Sequence, residues 1–189
     1  MLAVATQKNI VYFDLETQRT ANDVGGWHKK ADMGISVGVT YSTSTGSYEI
    51  FPEKRADDLV KHLSQADLVV GYNIRSFDYE VLMAYTILDL PHHLPTLDLL
   101  EVVEKAAGHK LPLDSVAQAT LGVGKTAEGL DAIRWWREGK MMEIAEYCCF
   151  DVKVTKLVHE YAVQHGELHY MDRFSRRQTL KVDLGQVSS

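Results

Sequence analysis

Two acidic residues, one position apart, follow a short apolar run near the start of the chain. The run from Ile10 to Phe13 is rich in strand-forming residues and leads directly to Asp14 and Glu16. Because residues two apart in a strand point to the same face, these carboxylates are expected to lie side by side, with Leu15 on the opposite face. Carboxylates this close repel each other unless a cation lies between them, which indicates a site for a hard divalent metal. The alternative is an acidic strand end exposed to solvent.

Two later segments carry acidic residues in settings that suit the same chemistry. Asp78 follows an apolar run and a short loop and is expected to open a helix, where its alternative role is an ordinary helix N-cap. Tyr147 and Asp151 lie four positions apart in a predicted helix, so their side chains share one face. The alternative for this pair is a surface carboxylate with a tyrosine packed beside it.

Hydrophobic periodicity places these residues on an alternation of strands and helices. Strands are predicted over residues 8–16, 34–42, 47–51, 67–72 and 96–99. Helices are predicted over residues 56–65, 79–88, 101–107, 113–120, 133–139 and 141–164. An antiparallel meander followed by βαβ units predicts an α/β domain, with a mixed central sheet of about five strands flanked by helices and the first strand central.

The chain shows no internal boundary between domains. One domain is predicted over residues 1–189, with a core over about 8–166 and a C-terminal extension, residues 167–189, that is either packed or loose. Residues 17–32 are predicted to form a polar loop.

The composition restricts the class of protein. Of the 189 residues, 46% are hydrophobic and 24% are charged, which is typical of a globular domain able to bury a core. A net charge of −6 argues against a protein that only binds nucleic acid, and argues less against an enzyme whose acidic site holds metal ions. No apolar run suits a membrane span and no secretory leader is recognisable. The adjacent Cys148 and Cys149 are interpreted as small buried residues in a reducing compartment, which favours the cytoplasm.

The acidic segments form an ordered set of three motifs. In chain order they are Asp14-x-Glu16, Asn73-x-x-x-Phe77-Asp78 and Tyr147-x-x-x-Asp151. Together they resemble the motifs of the DEDD 3′–5′ exonucleases of the tyrosine subtype, a ribonuclease-H-like group that includes the proofreading domains of DNA polymerases. Each motif alone is weakly specific, but all three occur in the expected order and on the expected elements. The resemblance covers residues 10–165.

The resemblance implies a ribonuclease-H-like fold and a metal-dependent 3′–5′ exonuclease that hydrolyses phosphodiester bonds of single-stranded DNA, RNA or both. It implies two divalent ions, Mg²⁺ or Mn²⁺, held by four carboxylates. Asp14 would bridge both ions, and Glu16 and Asp151 would bind the ion that carries the attacking water. Asp78 would hold the second ion through water, and Tyr147 would orient or deprotonate the nucleophile. The implied partner is the 3′ end of a nucleic acid, and no protein partner is indicated.

Substrate-binding candidates lie in the motifs and in two loops. Those in the motifs are Leu15, Thr17, Asn73 and Phe77. Trp27 lies in the polar loop beside His28 and two lysines, where an exposed indole can stack on a base. Lys125 is a candidate phosphate contact in a segment, residues 119–126, that matches a relaxed Walker A pattern. This segment follows a predicted helix rather than a buried strand, which disfavours an NTPase. The remaining alternative is a catalytically silent nucleic-acid-binding or interaction module on the same fold.

Overall fold

The protein is built around a five-stranded mixed sheet, and the computed structural model describes residues 8–124 and 129–185. Strands β1 to β7 span Ile10–Thr17, Ile35–Ser42, Ser47–Pro52, Leu68–Gly71, Thr96–Asp98, Glu167–Met171 and Arg177–Lys181. The first five form the central sheet in the order β3-β2-β1-β4-β5, and β6 and β7 form a separate hairpin.

Helices cover both faces of this sheet. Helices α1 to α8 span Ala21–Val24, Ala56–Ser64, Asp78–Leu82, Leu90–His93, Leu99–Ala107, Leu113–Leu121, Gly129–Arg137 and Met141–His165. Short 3₁₀ segments lie at Trp27–Met33 and Glu53–Arg55. No helix in the described part of the chain combines the length and hydropathy that a membrane span requires.

Strand β1 is central because it pairs on both sides. It runs antiparallel to β2 and parallel to β4, and β4 in turn runs parallel to β5. The mixed central sheet of about five strands is therefore confirmed. The pairing with β2 shifts register at the end of β1, where Glu16 pairs with Val37 and Thr17 pairs with Ile35. A bulge at this point re-aims the side chains at the strand end, where the acidic residues lie.

The two faces of β1 belong to two different hydrophobic clusters. Tyr12 packs in the cluster formed with the long helix α8, whereas Phe13 and Leu15 pack in the cluster formed with α2 and α3. The alternation expected from the strand period is confirmed, and Leu15 lies on the face opposite Asp14 and Glu16. The core thus fixes the direction in which the carboxylates point.

Three segments differ from, or add to, the elements predicted from periodicity. Residues 17–32 were predicted as a loop but contain α1, where Thr20 and Asp23 form a capping box and satisfy free backbone groups. The helix predicted over residues 79–88 ends at Leu82. Residues 167–181 form the β6–β7 hairpin, which packs against α6 and α8.

Gly71 ends β4 at a point with no room for a side chain. A methyl group there would clash with Ile74 and lie 2.9 Å from the backbone oxygen of Phe13 in β1. The missing side chain therefore lets the end of β4 pack closely against β1 and Ile74, just before the loop that leads to Asp78.

We expect Gly71→Ala to lower the free energy of unfolding by about 1–3 kcal/mol, because a crowded core must shift to accept the extra methyl. The melting temperature should fall by about 2–4 °C for each kcal/mol lost, measured by circular dichroism. Gly129→Ala is the control, since no described residue lies within 4 Å of a methyl group there. Equal melting temperatures for the two variants would contradict this account of Gly71.

Candidate active site

Three carboxylates from two distant parts of the chain meet at the end of β1. Asp14 and Glu16 come from β1 and Asp151 comes from α8. Each offers one oxygen, and these oxygens all lie within 4.8 Å of one another. All three side chains are half-buried, so they line an opening rather than a sealed interior. The expectation that Asp14 and Glu16 project side by side agrees with this geometry.

Asp78 joins this group from the start of α3. Its side chain is buried, and its Oδ1 accepts a hydrogen bond of 3.0 Å from the backbone N–H of Leu15. The helix N-cap position belongs to Phe77, so the ordinary capping role considered for Asp78 is wrong. A side chain on α3 is thereby tied to the backbone of β1 between the two strand carboxylates.

The loop before Asp78 is held by a second buried carboxylate, Asp98. Its Oδ1 accepts from the backbone N–H of Asn73 at 2.8 Å, and its Oδ2 accepts from the backbone N–H of Arg75 at 3.0 Å. Asn73 has a φ of 68°, which is uncommon for a residue other than glycine. Asp98 therefore stabilises an unusual backbone conformation that carries Asn73 and Phe77 to the site.

Helix α8 supplies Tyr147 and Asp151 on one face, as predicted. The hydroxyl of Tyr147 donates a hydrogen bond to Asp151, and its ring packs edge-on against Trp135 of α7 with centroids 6.2 Å apart. Two turns further on, the hydroxyl of Tyr12 lies 2.9 Å from Nδ1 of His159. This buried contact ties α8 to β1 and fixes the helix along the strand.

The carboxylates carry strongly shifted pKa values. Burial raises the pKa of Asp14 and of Glu16 well above their ordinary ranges, and the neighbouring carboxylates raise them further. Burial also raises the pKa of Asp78 to about 8, although the hydrogen bond from Leu15 opposes that shift. These carboxylates thus hold protons more tightly than isolated carboxylates do, because their negative charges lie close together, and a divalent cation relieves that repulsion.

Burial likewise raises the pKa of the Tyr147 hydroxyl, and the negative charges of Asp151 and Glu16 add to the effect. Tyr147 therefore keeps its proton at neutral pH. It can donate one hydrogen bond and accept another, but it is a poor general base. A protonated hydroxyl of this kind can orient a neighbouring group by hydrogen bonding.

A cavity of about 650 Å³ opens beside these groups. Its lining includes Trp27 and Phe77, whose rings meet edge-on with centroids 6.3 Å apart. Trp27 is 67% exposed, so its face is open to a ligand. Asn73 also lines the cavity. The structure therefore places Asn73, Phe77 and Trp27 around one opening.

The other predicted substrate residues differ in their settings. Leu15 and Thr17 border the cavity, but the Leu15 side chain packs in the core and the Thr17 hydroxyl donates to the backbone oxygen of Arg19 at 3.1 Å. Leu15 instead acts on the site through its backbone N–H, which binds Asp78. Lys125 lies outside the described residues.

Several cavity residues were not found from the sequence. Arg19 is the one cation among the described residues that line the cavity, and Leu130 of α7 forms part of the lining with 69% of its surface exposed. Arg137 of α7 pairs with Asp23 of α1 at 2.9 Å, which links the two elements on either side of the opening. No local periodicity reports these residues, because their roles depend on elements far apart in the chain.

The donor set fits a hard divalent cation. Three carboxylate oxygens lie close enough together to bind one metal ion. Asp78 is close enough to Asp14 to raise its pKa by charge repulsion. Oxygen ligands of this kind suit Mg²⁺ and Mn²⁺. The residues present therefore fit a divalent metal site.

This fold and acidic site agree with the family comparison. A family model described as the RNase_H superfamily matches residues 11–163. The chain therefore belongs to the RNase_H superfamily. None of the curated proteins matches the chain.

A solved structure shows the same architecture. The family B DNA polymerase from the hyperthermophilic archaeon Pyrobaculum calidifontis is similar, with a TM-score of 0.63 and 17% sequence identity. The superposition covers 84% of this chain and 25% of the polymerase, so the chain corresponds to about a quarter of that protein. At this identity the likeness establishes the fold alone.

The shifted pKa of Asp78 predicts a pH-dependent gain in stability for Asp78→Asn in the presence of chelator. Between its ordinary pKa of 3.8 and its folded pKa of about 8, the folded state holds more protons than the unfolded state. The free energy of unfolding therefore falls as pH rises through that window. Asparagine cannot ionise, so the Asp78→Asn variant avoids this loss of stability.

The gain in melting temperature should be larger at about pH 8 than at about pH 5, with about 2–4 °C for each kcal/mol of relieved destabilisation. Calorimetry at both pH values measures it. Glu80→Gln, an exposed change on the same helix, is the control. A gain in melting temperature that is equal at both pH values would show that ionisation of Asp78 does not destabilise the folded state.

Proposed function

We propose that this protein is a metal-dependent 3′–5′ exonuclease of the DEDD tyrosine subtype, acting on single-stranded DNA, RNA or both. The observation that carries the proposal is the meeting of Asp14, Glu16 and Asp151 within 4.8 Å, beside Asp78 and the Tyr147 hydroxyl. The exonucleolytic mode and the 3′ polarity rest on the resemblance of the three motifs. Membership in the RNase_H superfamily supports a nuclease.

In this proposal the four carboxylates hold two Mg²⁺ or Mn²⁺ ions. Such ions lower the pKa of bound water and neutralise the charge that develops on phosphate oxygens. Asp14, Glu16, Asp78 and Asp151 would supply the ligands, and the hydrogen bond from Leu15 keeps Asp78 pointed at the site. The chain itself thus contributes fixed ligand directions and a partly dehydrated opening.

Tyr147 would orient the attacking water. Its proton is already donated to Asp151, so its oxygen remains free to accept a hydrogen bond from water. The contact with Trp135 restricts the ring, which fixes the position of that oxygen. A group held this way lowers the barrier by orientation rather than by proton abstraction.

The cavity suits the end of a single strand. Trp27 and Phe77 present aromatic surface, on which bases stack without regard to sequence. Arg19 also borders the cavity, and its Nε donates to the backbone oxygen of Met33 at 3.4 Å. Asn73 adds an amide at the same opening. The nucleic acid 3′ end is therefore the proposed partner.

A silent binding module is less consistent with the same charges. Nucleic acid binding depends on neutralising phosphates with cations, and an opening lined by the three carboxylates of Asp14, Glu16 and Asp78 repels phosphates when no metal ion is bound. An enzyme that binds metal ions needs these carboxylates, whereas a simple binding surface gains nothing from them.

The direct test is digestion of 5′-labelled single-stranded DNA and RNA of matched sequence with Mg²⁺, with Mn²⁺ and with chelator. We expect a metal-dependent ladder that shortens from the 3′ end. Asp14→Asn should lower the rate by more than about 100-fold, because even residues that only orient metal ligands change activity by about 10- to 100-fold.

The control for this test is Glu80→Gln, which changes an exposed carboxylate outside the site. It should degrade both substrates at the unmodified rate. Binding of either strand without cleavage under every metal condition would contradict the enzyme and support the silent module.

The role of Tyr147 predicts a separate outcome for Tyr147→Phe. We expect kcat to fall by about 10- to 100-fold, while the Mn²⁺ concentration for half-maximal rate changes little, since the hydroxyl orients the nucleophile and is not a ligand. The pH profile of kcat should keep its shape, because a hydroxyl that only orients the nucleophile does not lose its proton in the reaction. Loss of a basic limb in the variant would instead identify Tyr147 as the base.

A further inference from the structure

Cys148 lies next to Tyr147 in the third motif and was expected only to fill space in the core. Its side chain is fully buried, and its sulfur lies 3.3 Å from Oδ2 of Asp14 and 3.4 Å from the backbone oxygen of the same residue. Both atoms are acceptors, so the thiol proton points toward Asp14. The contact joins α8 to β1 at the acidic site.

The other carboxylates of the site are also oriented by hydrogen-bond donors of the chain. Leu15 donates its backbone N–H to Asp78, and Tyr147 donates its hydroxyl to Asp151. Among the described contacts, Cys148 is the donor that reaches the side chain of Asp14. Carboxylate ligands of metal ions commonly need such outer contacts to hold a productive direction.

We propose that Cys148 is a positioning residue that holds the carboxylate of Asp14 in the direction required to bind the metal ions. This inference rests on the proposed function, because it assigns a task within the same metal site. The thiol acts through Asp14 and touches neither substrate nor metal. Asp14 is the carboxylate proposed to serve both ions, so its orientation affects the whole site.

Packing alone is the competing explanation for Cys148. Substitutions that change the hydrogen-bond donor and the side-chain volume separately distinguish the two explanations. Serine keeps a donor at the same position, whereas alanine removes it and valine removes it while restoring bulk. A positioning role requires the donor, so serine should rescue what alanine and valine lose. A packing role requires volume, so serine and alanine should behave alike. The neighbouring Cys149 is a matched control, because it is only half-buried and lies one position away on α8.

The experiment is calorimetric titration of the full chain with Mn²⁺ alone, together with the nuclease assay as a function of Mn²⁺. We expect Cys148→Ala and Cys148→Val to weaken Mn²⁺ binding by about 10-fold, at the lower end of the range for outer contacts because a thiol is a weak donor. Saturating Mn²⁺ should restore most of kcat. Cys148→Ser should stay within about threefold of the unmodified protein, and Cys149→Ala should not differ from it.

Three results would overturn the inference. In the first, the unmodified protein binds Mn²⁺ and cleaves nucleic acid, and Cys148→Ala and Cys148→Val bind Mn²⁺ with the same affinity. This result would remove the role of Cys148 and leave the proposed function intact. Equal weakening in the serine and alanine variants, with equally lowered melting temperatures in chelator, would assign the effect to packing. Absence of Mn²⁺ binding in the unmodified protein would overturn the metal site and this inference with it.

Discussion

The structure depends on one constraint, which is that several carboxylates must be held close together where water is partly excluded. Burial and mutual repulsion raise the pKa values of Asp14, Glu16 and Asp78, so the arrangement is unfavourable without a counter-charge. Nothing in the preferences of the individual side chains brings them together. The surrounding fold must therefore supply the free energy that keeps them in place.

The fold meets this constraint by attaching each acidic segment to β1. The strand is central in the sheet and belongs to a hydrophobic cluster on each face, so its position is determined by packing on both sides. Asp78 binds the backbone of β1 at Leu15, and α8 is tied to β1 through the contact between Tyr12 and His159. Because the strand, the helix and the loop are fixed to one another, the carboxylates cannot separate without disrupting the core.

The sequence allowed the five strands of the central sheet, the long helix α8 and the acidic segments to be predicted, because these depend on local patterns. A period of two placed Asp14 and Glu16 together, and a spacing of four placed Tyr147 beside Asp151. The contacts that orient these residues were not predictable in the same way. Asp78 binds a residue 63 positions away, Cys148 binds one 134 positions away, and Arg137 binds one 114 positions away. Such pairings depend on how whole elements pack, which no local period reports.

The ion pair between Arg137 and Asp23 has a consequence for the rim of the cavity. Its two side chains are 61% and 35% exposed, so water and salt screen the attraction, and pairs of this kind contribute at most about 1 kcal/mol. Loss of this pair therefore costs the fold little, because α7 is held in place by its buried residues Ala132 and Ile133. The opening thus combines a floor of core-anchored carboxylates with a polar, weakly held contact near its rim, so the rim can change in sequence without disturbing the carboxylates below it.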